Sequence, residues 1–315
     1  MPPSDDLPPA DRPPPAGRGG GDGLLPDVSW GLRDVIVGTM VTMLVVVSIL
    51  SFGGVVGAQR GFDTAVAAPA GYLVGGMATA LALLLVRATR SPLWPLALAL
   101  AAGVGVVAAS YLVASDTGDG TAILAGVPVT IITATAMSGA FAATGMALSV
   151  VRYREPLGSL GFVRTQGLRP YLFATGMWMI GLAVLVVWLQ VMVWFGIDSL
   201  TPPDTARKAL DQAGGSIVIT VLLVGIAGPI AEEIFFRGFV FTGLFKRFGT
   251  RRALFFSSLL FGLFHIDPGA IVPTFVLGLA LGWVYLKTGS IWPAMFAHGL
   301  HNTVAVLIAR YAPAP

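Results

Sequence analysis

Nine apolar stretches run through this chain with hardly a charge inside them, at about 35–56, 65–86, 92–113, 122–150, 171–195, 216–245, 253–266, 270–286 and 291–309. Seven reach the roughly 20 residues that a helix needs to cross a hydrocarbon core about 30 Å thick, and two are short. Backbone groups inside lipid must bond to one another, so runs of this length fold as helices. Only 11% of the 315 residues are charged while 55% are hydrophobic, against about 25% charge in a soluble domain. A cytosolic globule, a nucleic-acid binder and a disordered protein are thereby excluded. The sequence predicts an all-α polytopic membrane protein of eight or nine transmembrane helices embedded in a lipid bilayer.

Residues 1–30 read as a disordered Pro- and Gly-rich tail, with seven prolines before Pro26 and almost no large apolar side chain. The tail has no basic stretch leading into an apolar one, so it does not read as a cleavable signal peptide. The remainder divides into N-terminal transmembrane helices over 31–150 and a chemistry-bearing core over 151–315. If nine segments cross, Arg33, Arg87, Arg90, the basic cluster 152–169, the cluster 246–252 and Lys287 all fall on one side, and the loop with Asp116 and Asp119 falls on the other. The positive-inside rule then places the N-terminus in the cytoplasm. Sixteen arginines against three lysines, with heavy Ala, Gly and Val usage, suggest a GC-rich bacterial genome and hence the bacterial plasma membrane.

The polar chemistry is lopsided. The three histidines, His265, His298 and His301, all follow residue 260, and two of the three glutamates are the neighbours Glu232 and Glu233. Ionisable residues inside a membrane cost roughly 2.5–3.5 kcal/mol each on insertion scales, so their clustering marks function. There is no cysteine, which leaves oxygen and imidazole as the reactive groups. On a helix Glu232 and Glu233 point about 100° apart. Glu233 and Arg237 stand at i and i+4 in the favourable order for an ion pair, and Glu232 is left without that partner. Burial without a close cation would raise the Glu232 carboxyl towards the range of a general base. Pro229 cannot donate to the carbonyl of Gly225, which should loosen the helix one turn before Glu232.

The stretch 253–266 reaches only about 21 Å as a helix, so His265 and the turn Asp267-Pro268-Gly269 should lie within the depth of the membrane. His298 and Asn302 share a helix face. At about 1.5 Å per residue from the basic or polar anchors, Glu232 stands about 21 Å above Lys246, His265 about 20 Å above Arg252, and His298 and Asn302 about 12 and 18 Å above Ser290. One polar pocket can therefore collect a carboxylate, two imidazoles and an amide from three helices, and it is expected to open towards the basic side.

Glu-Glu-x-x-x-Arg at 232–237, Phe-x-x-x-His at 261–265 and His-x-x-x-Asn at 298–302 occur in the order and spacing of one family. Over about residues 150–310 the chain resembles the CAAX protease and bacteriocin-processing (CPBP, or Abi) intramembrane proteases, which include the Ras-converting CAAX endopeptidases. The resemblance implies an intramembrane endopeptidase acting on a peptide or membrane protein. It implies that Glu232 activates water, that His265 helps to hold it, and that His298 and Asn302 stabilise the oxyanion, with Glu233 and Arg237 in support. Glu232, His265 and His298 are also a conceivable zinc ligand set, although no His-Glu-x-x-His pair is present. His301 matches no family position and reads as accessory or structural.

Two readings from other classes fit the same residues. A non-catalytic scaffold or immunity-type protein could keep this fold, but has no use for an unpaired buried glutamate opposite histidine and asparagine. A proton-coupled transporter could use the carboxylates and imidazoles as a relay, but the halves of the chain show no matching repeat.

Overall fold

The computed structural model describes residues 25–59, 94–116, 122–124, 127–201 and 204–312, with 77, 79, 80 and 84 besides. The expected span 65–86, apart from those four positions, and most of the expected tail lie outside the described residues. The protein is an all-α polytopic integral membrane protein. Six helices among the described residues are long and apolar enough to cross a membrane.

The first helix, α1 (Leu32–Gln59), is followed by α2 (Trp94–Val113). A small antiparallel sheet of β1 (Ser115–Asp116), β2 (Ala122–Leu124) and β3 (Val127–Pro128) then turns the chain. The apolar run expected to be helical from 122 therefore spends its first residues in strands, and α3 starts at Val129 and runs to Met146. Beyond it come α4 (Arg169–Phe195) and the short amphipathic α5 (Thr205–Gln212).

A composite helix follows: α6 (Ile217–Thr220), a π-helical stretch Val221–Ala227, α7 (Gly228–Glu233), a second π stretch Ile234–Phe241, and α8 (Thr242–Leu263). Gly249, at φ 69°, breaks α8 at the basic cluster, so that this run supplies two of the expected crossings. Asp267 caps α9 (Pro268–Thr288) by accepting from the Gly269 amide at 2.8 Å, and Ser290 caps α10 (Ile291–Tyr311).

The core gathers around the second π stretch, where Phe235, Phe236 and Phe239 are fully enclosed. Phe236 packs edge-on against Phe261 and Phe264 at 5.1 and 5.5 Å, and Phe141 of α3 joins from the other side at 5.6 Å. Between helices in lipid the driving force is such close packing and interhelical hydrogen bonding rather than the hydrophobic effect. Helix α4, in contrast, exposes most of its apolar side chains, as a lipid-facing wall does.

The last residues of the expected tail, 25–30, are described and lie against the helices. Leu25, Val28 and Trp30 are buried, and the Trp30 indole donates to the carbonyl of Phe239 at 3.0 Å. Gly243 makes room for it, since a Cβ there would stand 2.8 Å from the indole. An aromatic ring that finds a pocket and a buried acceptor gains more than its chain loses in freedom.

Four carbonyls of the π stretches receive side-chain donors. Val224 accepts from Asn302 at 2.8 Å, Phe236 from Ser257 at 2.9 Å, Arg237 from Thr242 at 3.0 Å, and Phe239 from Trp30. In lipid a carbonyl left bare would cost several kcal/mol.

Candidate active site

The run Gly228-Pro229-Ile230-Ala231-Glu232-Glu233 is the α-helical piece between the two π stretches, and Pro229 sits in its first turn. In α register the missing Pro229 N–H would have orphaned Gly225, the carbonyl expected from the sequence. The π bond runs five residues back, so the orphan is Val224 instead, and this is the carbonyl that the Asn302 amide takes at 2.8 Å. Gly225 and Gly299 let α10 come this close, since a Cβ on Gly299 would stand 2.7 Å from the Gly225 oxygen.

The two glutamates go to different environments. Glu233 is fully buried, and one oxygen, Oε1, accepts from Arg237 Nη1 at 2.7 Å and from His298 Nδ1 at 2.8 Å. Its other oxygen has no partner among the described residues. Arg237 also donates to the carbonyl of Gly278 at 3.1 Å and lies 4.5 Å over the Phe261 ring. Glu232 keeps 24% of its side-chain surface open, and its nearest cation-forming atom is His298 Nε2, 3.8 Å from Oε2. The separation expected from helical geometry is therefore what the fold produces, with the addition that His298 stands between the two acids.

Hydrogen-bond logic fixes the imidazoles. A carboxylate only accepts, so His298 donates through Nδ1 to Glu233 and turns Nε2 to Glu232. His265 is 2.9 Å from the carbonyl of Phe261, again an acceptor, so its Nδ1 carries the hydrogen and Nε2 keeps the free lone pair. His301 accepts from the Trp178 indole of α4 at 3.2 Å, which leaves its hydrogen on Nε2 in the neutral form. The Phe261 ring touches His265 and His298 edge-on, with centroids 5.1 and 5.5 Å away. Its place in the site was visible in the sequence only as the first residue of Phe-x-x-x-His.

Glu232, His265, His298 and Asn302 line one cavity of about 400 Å³, and His301 shares it. Glu233 and Arg237 lie behind His298 and outside this lining. Thr205, Ala206 and Ala209 of α5 and Asp267 at the start of α9 line the same cavity. These stand at the ends of the helices away from Lys246–Arg252 and Lys287. The depth arithmetic gave the height of each polar residue but carried no information about which connection forms the rim. Among the described residues no three His, Asp or Glu side chains gather as metal ligands. In the conceivable zinc set Glu232, His265 and His298, both imidazoles are anchored through Nδ1, which leaves Nε2 as the atom that would bind a metal.

Residues 214–304 match the family model of type II CAAX prenyl endopeptidases, Rce1-like. That segment is similar to the CAAX endopeptidases. It includes all three motifs and every residue of the expected constellation. Among curated proteins the chain is 31% identical over 114 residues to "Putative membrane peptidase YdiL" of Bacillus subtilis, covering 36% of this chain and 46% of that protein. It is 28% identical over 120 residues to "UPF0177 protein YxdF" of Lactococcus lactis, covering 38% and 62%. The matches thus span about half to three-fifths of these relatives' own lengths. No solved structure matches the chain.

Proposed function

We propose that this chain is an intramembrane endopeptidase, hydrolysing a peptide bond of a membrane-associated protein or peptide by the glutamate-activated route. The observation that carries the reading is the division of labour between neighbours: Glu233 is consumed by Arg237 and His298, while Glu232 faces a cavity shared with His265, His298 and Asn302. Glu232 takes a proton from water held by the His265 Nε2 lone pair, and the hydroxide adds to the scissile carbonyl carbon. The oxygen that gains the electron pair meets donors from His298 and the second N–H of Asn302. Collapse of this intermediate breaks the C–N bond, and the proton passes from Glu232 to the leaving nitrogen.

His298 can donate through Nε2 only as the imidazolium, because Nδ1 already donates to Glu233.

The membrane is the bacterial plasma membrane in this reading. With the basic ends and the N-terminus in the cytoplasm, the cavity opens through the outer half of the bilayer. A chain without cysteine suits the test of sidedness: Thr205→Cys should react with an impermeant maleimide from outside spheroplasts, and Lys246→Cys only after lysis. The activity itself is tested by comparing protein termini in membranes bearing wild type or Glu232→Ala. A terminus produced by wild type alone is expected. Identical termini would favour the scaffold, and pH-gradient-coupled flux in liposomes without hydrolysis would favour the transporter. Cleavage abolished by a zinc chelator would overturn the metal-free route.

A further inference from the structure

Glu232 stands where two cavities meet. The second, of about 260 Å³, lies between α3 and the first π stretch, and shares Val224, Glu232 and Asn302 with the polar cavity. Its outer wall is Ala134, Thr135 and Ser138 of α3, and Ala227 and Gly228 face them. A Cβ on Gly228 would stand 4.0 Å from Glu232 Oε1, while Oε2 is the oxygen near His298. The two oxygens of the proposed base therefore border two different chambers. Thr135 turns its hydroxyl to its own helix, bonding the Ile131 carbonyl at 2.8 Å, and so adds little polarity to the wall. Helix α3 lies outside residues 214–304, so the family match is silent about it.

A peptide bond can be cut only if chain is held on both sides of it, and the polar cavity accounts for one side. We infer that an extended substrate passes through both cavities with its scissile bond at Glu232, and that Ala134, Thr135 and Ser138 form the specificity wall for the side chain in the second. This rests on the peptidase reading. The second chamber is lined mostly by apolar groups, small at Ala134, Ala227 and Gly228 and larger at Met137, Phe141 and Leu223, with no cation among its lining residues. It therefore suits an uncharged aliphatic side chain, and an acidic one would face Glu232 without a counter-charge.

The test uses the full chain in proteoliposomes and a library of membrane-anchored peptides randomised around a central segment, with cleavage sites read by mass spectrometry. Ala134→Leu and Ser138→Leu narrow the chamber from its outer wall. The expected result is a loss that grows with the substrate side chain on one side of the bond only, about 10–200-fold between glycine and leucine there. The preference on the other side should stay as in wild type. Leu185→Phe, in the polar cavity, should alter the opposite position. An unchanged profile, or an equal loss for all peptides with unaltered melting, overturns the inference while the peptidase reading stands. Absence of any Glu232-dependent cleavage by wild type overturns both. Should a leucine variant fail to fold, Ser138→Ala enlarges the chamber instead and should shift the preference on that one side towards larger residues.

Discussion

Two sides of His298 have been built to opposite specifications. On the Nδ1 side Glu233 and Arg237 are sealed from solvent, saturated at one oxygen and packed against Phe261. On the Nε2 side Glu232 has no hydrogen bond among the described residues and borders open space. Adjacent residues of one type thus serve as foundation and, in the proposed function, as reagent. The difference arises because a helix turns about 100° per residue, so that neighbours cannot share an environment.

That contrast can be broken at either side. Glu232→Gln keeps the shape and removes the base, and should lower turnover about 10²–10⁴-fold with melting unchanged; retained turnover would remove Glu232 from the chemistry. Glu233→Ala strands Arg237 in the interior and should destabilise the protein by about 3–5 kcal/mol. Its partner test is the double variant Glu233→Ala with Arg237→Met, which should recover much of that stability in denaturant titrations but not the activity, because His298 has lost its anchor. Asn302→Ala leaves the Val224 carbonyl bare, with an expected cost of about 1–3 kcal/mol and a larger fall in kcat than in KM. The smallest effect should come from Trp178→Phe, about 1 kcal/mol or less, read as a modest melting shift. A collapse of kcat in that variant would promote His301 from an accessory to a working group.

Much of this site was legible in the sequence because its logic is local. The pairing of Glu233 with Arg237, the isolation of Glu232 and the common depth of His265, His298 and Asn302 follow from helical spacing and rise. What was not legible depends on tertiary choices. Nothing local says that His298 bridges both acids, since that needs the approach of α10 permitted by Gly225 and Gly299. The displacement of the orphaned carbonyl from Gly225 to Val224 depends on π rather than α register, a shift of one residue that composition does not reveal. The lining contributed by α5 was not legible because that helix carries no motif, and the burial of Trp30 was not legible because its partner lies 209 positions away.

Three of the side-chain donors on the π stretches come from other elements. The helix that carries both glutamates is fastened to the N-terminal segment through Trp30, to the part of α8 beyond Gly249 through Ser257, and to α10 through Asn302. Sliding or rotating it would unfasten all of these attachments at once. In the proposed function, a polypeptide that enters past α3 or α4 leaves these attachments in place.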